Sequence, residues 1–187
     1  NSGKGGISVK HSVFSGQAWL VVMLAFVLAG CSGINTKRMV PEQSERPTPR
    51  FDYSLKIVQP VGGQKSVFGV QDYVENGELH DALMNTMTDS GLFTSVTDKG
   101  NADRELHSEI IAVAPSGGYN MTFAFVTQYW IIDPATGDEV WRKGVNARHE
   151  VKVTETWSGS ARAVQALEGA VRKNLQRLVE ALSTAEL

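Results

Sequence analysis

Val164, Leu167, Val171, Leu175, Leu178 and Leu182 follow one another at steps of three, four, four, three and four. On an α-helix that spacing keeps all six on one face, an apolar stripe about five turns long. A stripe of this kind is stable in water only when it lies against a second apolar surface, so the rest of the chain must supply one. Ser158-Gly159-Ser160 stands just ahead of it and offers a hydroxyl to the first free amides of the helix.

The receiving surface is legible upstream. Phe51, Tyr53, Leu55 and Ile57 alternate with Asp52, Ser54 and Lys56, the period of a half-buried strand that stops at Pro60-Val61-Gly62-Gly63. Leu79, Ala82, Leu83 and Met87 predict a helix over 76–90, with Glu75 and Glu78 at its start and Gly91 as its stop. Leu92–Val96, Arg104–Val113 and Thr122–Ile132 read as strands. Asp133–Asp138 is a turn, and the return strand sets Trp141, Val145, Ala147, Val151 and Val153 on one face. The order β-α-β-β-β-β-α predicts an α+β fold, a mainly antiparallel sheet with two helices packed on one face.

Residues 51–187 are enough to bury one core without disulfides, and the chain shows no internal repeat. The single cysteine of the 187 residues excludes a disulfide framework, a paired-cysteine redox site and a multi-thiolate zinc site. With 18 Lys and Arg against 20 Asp and Glu, there is no basic excess to hold nucleic acid.

The amino-terminal part has a different character. Lys4, Lys10 and His11 precede an apolar run, Ala18 to Gly30, that ends at Cys31. As a helix these 13 residues span about 20 Å, short of the roughly 30 Å hydrocarbon core of a bilayer. The pattern is that of an export signal occupying residues 1–30. Leu28-Ala29-Gly30-Cys31 resembles the lipobox of bacterial lipoproteins. That resemblance implies signal-peptidase recognition of Leu28, Ala29 and Gly30, cleavage before Cys31, diacylglycerol on its thiol and an N-acyl chain such as palmitate. No other cofactor is expected. Ser32, where an Asp would resemble an inner-membrane retention signal, implies a lipid-anchored protein of the outer membrane facing the periplasm.

Residues 31–50 then read as the lipidated cysteine and a flexible tether, because Pro41, Pro47 and Pro49 interrupt regular structure. The folded domain is expected over 51–187. Loss of the leader, which carries Lys4, Lys10 and no acid, leaves 16 basic side chains against 20 acidic ones.

Few residues suggest chemistry. Gly3-Lys4-Gly5-Gly6 lacks the spacing of a phosphate loop. Asp103, Glu105, His107 and Glu109 alternate along one strand and share a face, but neighbours there lie about 7 Å apart. A metal would need a ligand such as His149 from elsewhere, so a solvated sheet face is the expectation and no metal site is assigned. With Cys31 committed to lipid, no nucleophile elbow present and His80 on a helix surface, no catalytic residue is assigned either. Phe123, Phe125, Tyr129 and Trp130 lie on a strand with apolar groups on both faces: either helices cover one face and edge packing or loops the other, or the strand leaves a patch for a protein partner or a lipid.

Leu83 to Phe93, Asn101-Ala102-Asp103, the turn from Asp133 to Trp141 and Ala170 to Leu175 resemble phrases of small envelope lipoproteins. The groups are the YajG-type lipoproteins and, more distantly, the auxiliary lipoproteins of ABC-type transporters. The resemblance implies a non-enzymatic, membrane-anchored lipoprotein whose periplasmic domain binds or helps assemble envelope machinery. The alternative is a lipid-binding accessory of an ABC-type transport system, which predicts an apolar groove.

Overall fold

In the computed structural model, which describes residues 33–42, 50–63 and 74–187, one mixed sheet carries three helices on a single face. Its strands are β1 (Phe51–Ile57), β2 (Phe93–Thr97), β3 (Arg104–Ser116), β4 (Met121–Ile132) and β5 (Glu139–Val151). The helices are α1 (Thr36–Met39), α2 (Asn76–Ser90) and α3 (Gly159–Ser183). The sheet order is β2-β1-β3-β4-β5, and β3, β4 and β5 form an antiparallel meander through two long ladders. β1 is parallel to both of its neighbours. For β2 that follows from connectivity: a strand that returns through a helix, as β1 does through α2 to β2, lies parallel to the one it left.

Local chemistry sets the element ends. Glu75 and Glu78 form a reciprocal capping box at the start of α2, with Glu75 N–H donating to Glu78 Oε2 at 2.9 Å. Gly91 ends that helix at φ 62°, a left-handed conformation that glycine adopts without a Cβ clash. Ser158 caps α3. In the β4–β5 turn Asp133 Oδ1 accepts from Ala135 N–H, and Gly137 supplies a φ of 80°.

The core lies between the sheet and α2 and α3. β4 alternates without a break, so Phe123, Phe125, Thr127, Tyr129 and Ile131 all point inward. Leu167, Val171, Leu175, Leu178 and Leu182 of the α3 stripe are fully buried, and Val164 nearly so. Each such side chain contributes about 1.5–3 kcal/mol by leaving water. Polar groups are packed there too, and Asn174 accepts from Tyr129 Oη at 2.7 Å and donates to the carbonyls of Phe125 and Val145 at 3.2 and 3.0 Å. Its amide is thereby satisfied at both ends, and α3 is tied to β4 and β5 at a fixed register. One turn away Gly169 sits beneath the His149 ring, where a Cβ would overlap the imidazole.

Two expectations need correction. The segment 31–50 is not a tether throughout, because residues 33–42 dock on the domain. α1 inserts Met39 into the core at 0% exposure, and Asn35 N–H donates to Glu168 Oε1 at 2.7 Å. Arg38 lies 3.6 Å from the other oxygen of that carboxylate, which is itself buried. A buried carboxylate needs such partners, and the chain folds back to provide them. Secondly, β5 ends at Val151, so Val153 falls in the following turn rather than on the strand.

Candidate functional surface

Because the described helices share one face, none of them covers the other face of the sheet, where strand side chains stand. Register decides which of them meet. Lys56 of β1 stands opposite Glu105 of β3, His107 opposite Trp130 of β4, and Trp130 opposite Arg142 of β5. Cross-strand partners are within reach of one another, and each of these pairs makes contact. Lys56 Nζ is 2.9 Å from Glu105 Oε1, and the other oxygen of Glu105 is 3.6 Å from His107 Nε2.

The His107 ring stacks on Trp130 with 5.4 Å between centroids and 15° between planes. From the opposite side of the row the Arg142 guanidinium lies 5.1 Å from the indole centroid, and Glu139 holds it with a two-point hydrogen-bonded pair. Exposed pairs of this kind contribute little to stability, about 0–1 kcal/mol each. Their effect is to order the surface: the indole is fixed flat, with a cation and an imidazole beside it.

The electrostatics agree. The Lys56 hydrogen bond holds the Glu105 carboxyl below its ordinary range, and the Arg142 hydrogen bond does the same for Glu139. Two hydrogen bonds from Ser54, at 2.7 and 2.8 Å, hold Asp103 down. These carboxylates are charged and already partnered.

The structure separates the four residues of the aromatic patch. Phe123, Phe125 and Tyr129 are wholly buried in the core, where the α3 stripe covers them, and only Trp130 belongs to the outer face. The patch as first drawn is therefore corrected to Trp130, with His107 and Arg142 as its neighbours. Glu105, His107 and Glu109 do run along β3, with Asp103 just ahead of it, yet Asp103 is engaged by Ser54 and Glu105 by Lys56. Among the described residues no three His, Cys, Asp or Glu side chains converge as a metal would require. His80 stands beside Asp81 on α2, and His149 packs on Gly169. Cys31, Leu28, Ala29 and Gly30 lie outside the described residues.

Sequence reasoning missed Asn174, Glu168 and the row through Trp130. Asn174 did leave a signal, since it is an amide beside the stripe between Val171 and Leu175. Two hollows lie at the described surface. One of about 320 Å³ is lined by Asn101, Ala102, Glu105, Pro134 and Ala135, and one of about 230 Å³ lies between Gly33 and the start of α3. The first is at the lower end of the roughly 300–1,000 Å³ usual for small-molecule sites.

No family model and no curated protein matches the chain. Solved structures do share its fold. Protein XCC0632 from Xanthomonas campestris, of the family DUF330, superposes with a TM-score of 0.57 at 13% identity, over 78% of this chain and 90% of that one. A homolog of the neuraminyllactose-binding hemagglutinin from Helicobacter pylori gives 0.52 at 12% identity, over 78% and 94%. At such identities the likeness is one of fold, and it supports the α+β assignment.

Proposed function

We propose that the chain is a non-enzymatic lipoprotein of the bacterial envelope that holds a protein partner on the outer face of its sheet. In this reading residues 1–30 are the export signal, Cys31 carries diacylglycerol and an N-acyl chain, and the domain faces the periplasm from the outer membrane. The sequence Leu28-Ala29-Gly30-Cys31 supports the anchor, and two or more acyl chains are what stable anchoring requires.

One observation carries the binding role: Trp130 is fixed between His107 and Arg142 on a sheet face that no described helix covers. Trp and Arg are the residues most enriched where proteins bind one another, and here both are pre-ordered with a charged rim around them.

A photo-crosslinking residue at Gln128, two positions from Trp130 on the same face, tests this in living cells, with Asn85 on α2 as the control position. One dominant envelope protein should couple at Gln128 and not at Asn85, and Trp130→Ala should abolish the adduct while thermal unfolding is unchanged. Copurifying phospholipid without a protein adduct would displace this reading in favour of a lipid-binding accessory.

A further inference from the structure

Three features meet at one end of the domain. The first is the chain's route toward Cys31. Gly33, Asn35 and Arg38 line one side of a hollow of about 230 Å³ whose other side is Ala161, Val164 and Gln165 at the start of α3, and Asn35 and Arg38 are clasped by Glu168. Gly33 is two residues from Cys31, a reach of at most about 7 Å. The second is Trp157, 89% exposed in the loop that enters α3. Its backbone is held, since Arg162 Nη1 donates to the carbonyls of Thr156 and Trp157 at 2.8 and 2.7 Å, and Thr156 Oγ1 donates to Gln165 Oε1 at 2.6 Å. The third is Tyr119, 87% exposed in the β3–β4 turn. That turn meets the same loop, where Val153 N–H donates to Asn120 Oδ1 and Asn120 Nδ2 donates to Glu150.

We infer that this end of the domain rests on the lipid surface, with the Trp157 and Tyr119 rings in the headgroup layer. The inference rests on lipidation of Cys31 and adds the orientation of the domain on the membrane. The chemistry fits a bilayer interface: Trp and Tyr have an apolar body and a polar tip, and the headgroup layer is where both are accommodated. The short path from the acyl chains to the clasped segment decides the occupant. A protein docked by residues 33–42 and anchored at Cys31 cannot hold its Gly33 end far from the bilayer. Trp157 is then aimed at lipid from a loop whose backbone is already ordered. The row through Trp130 stands at the other end of the strands, nine residues along β4 from Met121, or about 30 Å from the lipid. Trp141 is ten residues along β5 from Val151, at a similar height.

The test uses the lipidated protein purified from membranes and placed in vesicles of phosphatidylethanolamine and phosphatidylglycerol, with and without brominated acyl chains. Bromine quenches indoles that enter the interface. Mass spectrometry first establishes the acyl chains on Cys31. With them present, tryptophan emission should be quenched by brominated lipid, and the quenching should be lost in Trp157→Phe, since Trp130 and Trp141 stand clear. Quenching absent from the wild type, or retained in Trp157→Phe, overturns the orientation and leaves the anchor intact. A mass without acyl chains overturns the anchor and the orientation with it.

Discussion

Tyr129 Oη lies 2.7 Å from Asn174 Oδ1 in the interior, and both residues are completely buried. Burial pushes the Tyr129 phenol far above its ordinary value, so it is a neutral donor at any physiological pH. Removing the phenol hydroxyl leaves Asn174 Oδ1 without its donor, and removing the amide leaves the hydroxyl without this acceptor, in a place water does not reach. Tyr129→Phe should cost about 1–3 kcal/mol, and Asn174→Leu more, because it removes the phenol's acceptor and the donor to two backbone carbonyls together. Urea unfolding measures both. Losses below half a kilocalorie would show that the network does not bear on stability.

The close approach of α3 to β5 at Gly169 leads to a change of sign. Gly169→Ala in the native background drives a methyl into the His149 ring and should destabilise by about 1–3 kcal/mol. With His149→Ala already in place the obstruction is gone. The same substitution should then stabilise by about 0.5–1 kcal/mol, the helix preference of alanine over glycine. A double-mutant cycle followed by denaturant unfolding reads the difference.

His149 also gives the fold a pH dependence. Burial lowers its pKa from 6.5, and Lys173 and Arg172 lower it further, against a smaller opposing effect of Glu155. The folded protein therefore binds this proton less readily than the unfolded chain. The associated stability is complete above about pH 6.5 and declines as the pH falls toward the folded-state pKa. Asp103 and Glu105, whose pKa values are lowered from 3.8 and 4.5, contribute stability that is lost only under more acid conditions. Thermal melts between pH 7 and 5 should show a decline that His149→Gln removes; an identical decline in that variant would assign it elsewhere.

The clasp on the amino-terminal segment depends on Glu168. Glu168→Ala removes the acceptor for Asn35 N–H and the counter-charge for Arg38, whereas Glu168→Gln keeps an acceptor. Hydrogen bonds to charged groups contribute about 1.5–3 kcal/mol, so the alanine variant should raise opening of residues 34–42 by tenfold or more. Tryptic cleavage after Lys37 and Arg38 reports that opening. The glutamine variant should fall between the two.

The sequence discloses those parts of the molecule that local periodicity governs. Alternation in β4 and the stripe of α3 identify the inner faces, because burial on one side imposes a period of two or 3.6. The parallel placement of β1 is not legible, since pairing partners are chosen by connections rather than by the strand's own residues. α1 is hidden for a related reason. It has four residues, and its stabilising partners are Met39 in the core and a carboxylate 133 residues away. The residues of β4 show it to be apolar on both faces, but only the register with β3 and β5 shows that Trp130 has His107 and Arg142 for neighbours.

That separation of 133 residues also imposes an order of events. Residues 33–42 leave the ribosome early, while Glu168 is still to be made. At synthesis rates of about 5–20 residues per second the interval is on the order of 10 s. Throughout that time the segment has no clasp and stays an open stretch of chain. Closure comes last, when α3 is complete, so the contact that ends the accessibility of this region is also a report that the whole domain has been built.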